Sequence, residues 1–186
     1  IGLLVAAKRK AQVVGVEIQP TLASMAKRSV LANRYDERMQ VIEGDVRETA
    51  SLFPQGDADV VVINPPYFKE GSGEVSHDEM KAIARHEITL TLEEELAAAD
   101  HLLKVGGEAY FVFPASREKE FNEQAAAKGF ALVEKTYLTA SEQKPAESFI
   151  AKLRKGAQGA ETVERTLVTK DEAGRMSEAV LSLYRS

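Results

Sequence analysis

The sequence predicts an α/β fold in which a mostly parallel sheet carries helices on both faces. Apolar runs rich in β-branched residues alternate along the chain with segments of helical periodicity. The distance between successive runs leaves room for the helical crossovers that join parallel strands. The clearest strand, residues 58–63 (ADVVVI), is continuously apolar, which is typical of a strand covered on both faces.

The first third of the chain follows this alternation. Residues 1–9 form a helical pattern without a cap before it, so we expect a helix cut off near its start. Residues 11–18 are rich in valine and predict a strand. Pro20 suits the first turn of a helix over residues 20–33. The next predicted elements are a strand at 39–42 and a short helix at 46–53.

The remaining elements are predicted from periodicity and from the glycines. Two glycines within residues 69–76 indicate a loop, and a helix follows over 77–103, with a break near 89–91. Gly106 and Gly107 suit the C-cap of that helix. The other predicted elements are a strand at 108–114, a helix at 117–128 and strands at 130–138, 148–153, 165–169 and 179–184.

Length and composition narrow the protein class. A chain of 186 residues with 44% hydrophobic residues is sufficient for one domain with a buried core. Cysteine is absent, which excludes disulfides and thiolate metal sites, and we expect no metal. The sequence shows neither a membrane-length apolar run nor a leader, so a cytoplasmic location is expected. The net charge is −5, but acidic and basic residues nearly balance from Ala115 onward. These charges could simply form a solvated surface. An RNA-binding surface, if the protein has one, is expected in that half, with a local patch at Lys152, Arg154 and Lys155.

Two acidic residues follow successive predicted strands. In open α/β sheets ligands bind at the carboxyl ends of the strands. Glu17 ends the first strand, where its carboxylate could accept the ribose hydroxyls of a nucleoside or could cap the next helix. Asp45 follows the second strand, where it could contact an adenine amino group or could cap the helix at Val46. For each residue both interpretations stay open.

The segment Asn64-Pro65-Pro66-Tyr67 follows the clearest strand and is the sharpest chemical signal. The prolines stiffen the backbone and leave two acceptors, the Asn64 side-chain oxygen and the Pro65 carbonyl oxygen. Tyr67 and Phe68 offer flat faces for stacking on a base. Acceptors that hold the hydrogens of a planar amine favour its attack on an electrophile. The segment therefore predicts catalysis at a planar nitrogen.

The segments GVEIQ, EGD and NPPYF, in this order and spacing, resemble the NPPY group of class I Rossmann-like methyltransferases. The resemblance implies one Rossmann-like domain with an antiparallel C-terminal edge and S-adenosyl-L-methionine as cofactor. It implies cofactor contacts at Glu17, Ile18, Asp45, Val46 and Asn64, and catalysis at Asn64, Pro65, Pro66 and Tyr67. The glycine-rich cofactor loop of the family is expected immediately before Ile1.

A narrower resemblance adds Ala84-Arg85-His86-Glu87 and points to bacterial tRNA-adenine N6 methyltransferases. It implies a tRNA partner and substrate contacts at Tyr67, Phe68, Arg85 and His86. A structural role for Arg85 and His86 on a helix surface stays open. Two alternatives also stay open: methylation of protein glutamine or of guanine N2 in ribosomal RNA, and a non-catalytic RNA-binding module.

Overall fold

The computed structural model describes residues 1–64, 90–157 and 161–185. These residues divide into two compact units, Ile1–Leu52 (unit 1) and Phe53–Ser186 (unit 2). The single domain expected from the sequence stays a prediction.

The described elements agree with most of the predicted ones. The helices are α1 (Gly2–Lys8), α2 (Pro20–Ala32), α3 (Thr49–Leu52), α4 (Leu92–Leu102), α5 (Glu118–Ala127) and α6 (Glu178–Arg185). The strands are β1 (Val13–Glu17), β2 (Met39–Glu43), β3 (Ala58–Ile63), β4 (Leu103–Pro114), β5 (Phe130–Thr139), β6 (Ser148–Lys155) and β7 (Val163–Val168). Short 3-10 helices, Val46–Glu48 and Ala115–Arg117, precede α3 and α5.

Unit 1 is built on the parallel pair β1 and β2, in register from Val13 opposite Met39 to Glu17 opposite Glu43. Helix α2 begins with Pro20 at its first position, where the missing amide hydrogen costs no hydrogen bond. Both α1 and α2 contribute to the small core of this unit. Its buried members are Ala6, Ala23, Val30, Met39 and Val41.

Unit 2 contains a five-stranded sheet in the order β3-β4-β6-β5-β7. Strand β3 is parallel to β4 and β7 is parallel to β5, whereas β6 is antiparallel to both of its neighbours. The carboxyl ends of β3, β4, β5 and β7 therefore lie along one edge of this sheet, which we call the carboxyl edge. The antiparallel strand expected at the C-terminal edge lies inside the sheet.

The core of unit 2 is an aromatic cluster between the sheet and helices α4 and α5. Phe111 and Phe113 of β4, Phe149 of β6 and Phe121 of α5 are at most 1% exposed. Phe121 meets Phe111 and Phe149 edge to face, with ring centroids 5.5 and 5.4 Å apart. Leu96 on α4 is also fully buried. This cluster fixes α4 and α5 against the strands whose ends form the carboxyl edge.

The clearest predicted strand is confirmed, but its expected coverage on both faces is not. In β3, Val61 and Ile63 pack against the core of unit 2. Their neighbours Val60 and Val62 point to the other face and are 52% and 46% exposed.

The predicted helix cap at Gly106 and Gly107 is wrong. Helix α4 ends at Leu102, and the chain enters β4 at the next residue. Gly106 has φ of +82° at an irregularity where β4 shifts register against β3. A Cβ atom at Gly107 would lie 2.9 Å from the Lys104 carbonyl oxygen. The two glycines therefore form a β-bulge. A β-bulge favours glycine for the same reason as a helix C-cap, because both can require a positive φ.

The strand predicted at residues 179–184 is also wrong, because these residues belong to helix α6. The Ser177 hydroxyl oxygen accepts a hydrogen bond of 3.2 Å from the Val180 amide at the start of the helix. A short apolar run does not by itself distinguish a strand from a helix.

A buried lysine links three elements of unit 2. The Lys135 side chain on β5 is 3% exposed and pairs with Glu118 of α5, and its ammonium nitrogen lies 3.7 Å from Glu164 of β7. The Tyr137 hydroxyl also donates to Glu118, at 2.9 Å. Burial is the largest single influence and lowers the pKa of Lys135. The hydrogen bond to Glu118 and the charges of Glu118, Tyr137 and Glu164 together outweigh it, so the net shift is upward. The ion pair therefore fixes the start of α5 to the sheet.

Replacing Lys135 by methionine should destabilise the protein by about 2 kcal/mol, because the half-buried Glu118 loses its cation. Chemical denaturation at pH 7 measures this loss. The matched control is Lys119→Met, since Lys119 is 90% exposed and lies 3.9 Å from Glu123. The control should change stability by no more than about 0.5 kcal/mol. Equal effects of the two substitutions would contradict the anchoring role of Lys135.

Candidate active site

Glu17 lies at the carboxyl end of β1, as predicted, and is half-buried. Its Oε1 atom accepts a hydrogen bond of 2.9 Å from the Gln19 amide, just before α2. The Gly44 amide, just after β2, donates to the Glu17 carbonyl oxygen at 3.1 Å. Ile18 follows in a bend and is half-buried. The carboxylate is thus held at a strand end, where an acceptor for ribose hydroxyls was predicted.

Asp45 lies at the same end of the β1-β2 pair, and its predicted capping role is observed. It is the N-cap of the 3-10 helix that begins at Val46, and it accepts a hydrogen bond of 2.9 Å from the Arg47 amide. The Arg47 side chain also donates to Asp45 Oδ2, with Nε at 2.8 Å. This hydrogen bond lowers the pKa of Asp45, although burial acts in the opposite direction. A contact from Asp45 to adenine would compete with Arg47, and it stays a prediction.

Asn64 directly follows β3 and is exposed at the carboxyl edge of unit 2. It is the one residue of the predicted catalytic segment that the structure describes. The other predicted catalytic and substrate-binding residues lie outside the described residues, namely Pro65, Pro66, Tyr67, Phe68, Arg85 and His86.

The basic patch expected to bind RNA lies on β6, with Lys152 opposite Tyr110 in the middle of the sheet and Arg154 opposite Glu108, at the level of Val60. Lys152 and Arg154 each approach Glu108 at 2.9 Å, near the start of the paired part of β4. These cations lower the pKa of Glu108 to about 2, with the Arg154 hydrogen bond as the largest cause. Lys155 pairs with Asp100 at 3.1 Å. The three basic residues therefore neutralise carboxylates of the protein.

Glu95, a buried carboxyl group, was not singled out by the sequence reasoning. It lies in the first turn of α4 and is 2% exposed, and its Oε2 atom has no hydrogen-bond partner in the described part of the chain. Burial raises its pKa to about 8, against an opposing effect of Arg117. The sequence does carry a signal, because Glu95 shares a helical stripe with the buried Leu92, Leu96 and Ala99. Buried groups with strongly shifted pKa values are concentrated at functional sites.

Arg117 follows β4 at the carboxyl edge of unit 2, above the core. Its guanidinium carbon lies 4.9 Å from the centroid of the Phe113 ring. The guanidinium forms two hydrogen bonds to Glu120, of 2.8 and 2.5 Å. The carboxyl edge thus carries a cation, Arg117, and the exposed Asn64.

Comparison with solved structures identifies the fold. The chain is similar to a predicted O-methyltransferase from Agrobacterium tumefaciens, with a TM-score of 0.76, 19% identity, and coverage of 99% of this chain and 82% of that one. The fold is that of a class I methyltransferase. Geranyl diphosphate C-methyltransferase from Streptomyces coelicolor, solved with S-adenosyl-L-homocysteine, is also similar, with a TM-score of 0.60, 11% identity, and coverage of 82% and 68%.

Comparison with curated proteins confirms the resemblance to bacterial tRNA-adenine N6 methyltransferases. The chain is 27% identical to the tRNA1(Val) (adenine(37)-N6)-methyltransferase of Shewanella sp. over 98% of this chain and 77% of the relative. It is 34% identical to the protein of the same name from Porphyromonas gingivalis over 63% of this chain. The latter match spans 46%, about half, of that relative's length. No protein-family model matches the chain.

Two classes of feature are absent from the part of the chain that the structure describes. No helix in residues 1–64, 90–157 and 161–185 is long and apolar enough to cross a membrane. The same residues contain no group of three or more side chains able to hold a metal ion.

Replacing Glu95 by glutamine should remove a pH-dependent loss of stability. The folded protein holds the Glu95 proton up to a pKa of about 8, whereas the unfolded chain releases it near the ordinary value of 4.5. The contribution of Glu95 to stability is therefore fully present below pH 4.5 and is lost as the pH rises to 8, by at most about 1.4 kcal/mol per pH unit.

Thermal melts of wild type and Glu95→Gln between pH 5 and 8 measure this effect. The variant should show the shallower pH dependence and the higher melting temperature at pH 8. Glu93→Gln is the matched control, because the Glu93 side chain is 72% exposed on the same helical turn. Parallel pH dependences for wild type and Glu95→Gln would show that the Glu95 carboxyl group titrates normally.

Proposed function

We propose that the protein is an S-adenosyl-L-methionine-dependent N-methyltransferase that methylates adenine N6 in tRNA. The observation that carries the proposal is the similarity to tRNA1(Val) (adenine(37)-N6)-methyltransferases over nearly the whole chain. The class I methyltransferase fold supports the reaction type. Since tRNA is the proposed substrate, the proposal also includes a cytoplasmic location.

The proposed catalytic group that the structure describes is the Asn64 amide. An exocyclic amine on an aromatic ring is a weak nucleophile, because its lone pair is delocalised into the ring. Asn64 is exposed at the end of β3. Its side-chain oxygen can accept a hydrogen bond from the amino group of a base that is flipped out of its stack. Such an acceptor favours the geometry in which the nitrogen lone pair points at the methyl donor. The proposed partner acceptor is the Pro65 carbonyl, and Tyr67 or Phe68 would stack on the base.

The described residues of unit 1 fit the nucleoside part of the cofactor. The half-buried carboxylate of Glu17 is held at the end of β1 by the Gln19 amide, and carboxylates suit a pair of ribose hydroxyls. Asp45 and Val46 lie at the same strand ends and would border the adenine. When bound, S-adenosyl-L-methionine supplies an electrophilic methyl group.

Incubation with labelled cofactor tests the substrate class. The protein, expressed from its complete gene, is mixed separately with tRNA, ribosomal RNA and release factors. We expect label in tRNA, recovered as N6-methyladenosine. Label in protein alone would contradict the tRNA proposal and indicate a protein-glutamine methyltransferase. Label recovered as N2-methylguanine in ribosomal RNA would indicate a guanine-N2 methyltransferase. No transfer to any pool, together with RNA binding, would favour the non-catalytic module.

The substitution Asn64→Ala should lower the kcat for tRNA methylation about 100-fold, the usual effect of removing one group that stabilises a transition state. Affinity for the cofactor should stay unchanged, as measured by calorimetry. Asn33→Ala is the matched control, because Asn33 is exposed at the end of α2 and its side chain donates a local hydrogen bond to the Ser29 carbonyl oxygen. Wild-type turnover by Asn64→Ala would exclude the acceptor role.

The substitution Arg154→Gln should leave the salt dependence of tRNA binding unchanged. Arg154 already pairs with Glu108, at the level of Val60 in β3, so we expect its charge to contribute little to phosphate binding. The slope of log Kd against log salt concentration measures the effect. A slope that is smaller by about one in the variant would show that the basic patch contacts RNA phosphates.

A further inference from the structure

The carboxyl group of Glu95 stands out because it is buried with an unpartnered oxygen. It is 2% exposed, and within residues 1–64, 90–157 and 161–185 its Oε2 atom has no hydrogen-bond partner. An ionised carboxylate in such a place is costly unless a cation or several donors reach it. Among the described residues, two charged groups act on it: Arg117, from the segment after β4, and Glu94, its neighbour on α4.

The topology places Glu95 near the carboxyl edge. Helix α4 leads directly into the start of β4, with Leu102 as its last residue and Leu103 as the first of the strand. The helix returns from the end of β3 to the start of the parallel β4, so its first turn lies toward the strand ends that bear Asn64 and Arg117. The electrostatic effect of Arg117 on Glu95 agrees with this position.

Arg117 interacts with two carboxyl groups of different character, by hydrogen bonds with Glu120 and electrostatically with Glu95. Glu120, its present hydrogen-bond partner, has a side chain that is 39% exposed, and the Arg117 side chain is 40% exposed. Water stabilises Glu120 when it loses this partner, whereas it cannot stabilise an ionised Glu95. An ionised Glu95 should therefore compete successfully with Glu120 for the guanidinium.

We propose that Glu95 is a positioning residue that acts through Arg117: when Glu95 loses its proton, the guanidinium leaves Glu120 and turns inward to Glu95. In the protonated state, Arg117 and Glu120 form a neutral pair at the carboxyl edge. In the ionised state, the cation is withdrawn and Glu120 remains at the surface as an unpaired negative charge.

This change should weaken the binding of a polyanion at the carboxyl edge. The inference rests on the proposed function, because that function places RNA at the edge with Asn64. One uncompensated negative charge near a phosphate changes affinity by about fivefold at the distances of direct contact. The effect falls on the KM for tRNA and leaves kcat unchanged, because neither Glu95 nor Arg117 is proposed to touch the reacting nitrogen.

Steady-state kinetics between pH 6.5 and 9.5 test the inference. The KM of the wild-type protein for tRNA should rise about fivefold with a midpoint near pH 8, the pKa of Glu95. The rise should be absent in Glu95→Gln and present in the exposed control Glu93→Gln. In Glu120→Gln, Arg117 loses the carboxylate that competes with Glu95, so the midpoint of the KM rise should move to lower pH. A rise of the same size in Glu95→Gln, or a flat wild-type profile, would overturn the inference.

A second readout separates this inference from the proposed function. The 15N signal of the Arg117 side chain should shift with a midpoint near pH 8 in the wild-type protein and should not shift in Glu95→Gln. This measurement requires no RNA. If Arg117 titrates in this way but no RNA is methylated, the coupling stands and the proposed function fails. If tRNA is methylated but the Arg117 signal does not respond to pH, the coupling is wrong and the proposed function stands.

Discussion

The parallel pairing of β3 with β4 is the constraint on which the candidate chemistry of unit 2 depends. Parallel strands end at the same edge of a sheet, so the residues that follow them become neighbours despite their distance in sequence. Here the pairing brings Asn64, after β3, to the edge at which Arg117 follows β4. The crossover helix α4 adds Glu95 from the layer that covers the sheet. The aromatic cluster around Phe121 fixes the helices of that layer against the strands.

The charges of unit 2 are distributed differently at its two edges. At the level of Val60 near the start of β3, Lys152 and Arg154 neutralise Glu108, whose pKa falls to about 2. Toward the carboxyl edge, the Glu95 carboxyl group is buried, and its Oε2 atom has no hydrogen-bond partner among the residues that the structure describes. A buried carboxyl group with an unpartnered oxygen lowers the stability of the folded protein. Such groups are concentrated at functional sites, which is consistent with a functional role for the ionisation of Glu95.

The sequence predicted the class of fold and most elements, because apolar periodicity and proline positions are local signals. The prediction was wrong where one local signal fits two structures. Gly106 lies in a bulge within a strand and not in a helix cap, and residues 179–184 form a helix and not a strand. The strand-end rule correctly placed Asn64 at the carboxyl end of its strand. The partners of Lys152 and the burial of Glu95 depend on long-range packing, which one sequence does not reveal.

Nucleoside analysis of tRNA from cells that lack the gene tests the central claim most directly. Total tRNA from the deletion strain and from a complemented strain is digested to nucleosides and measured by mass spectrometry. The account predicts that N6-methyladenosine is depleted in the deletion strain and returns when the gene is restored. An unchanged amount of N6-methyladenosine in the tRNA of both strains would contradict it.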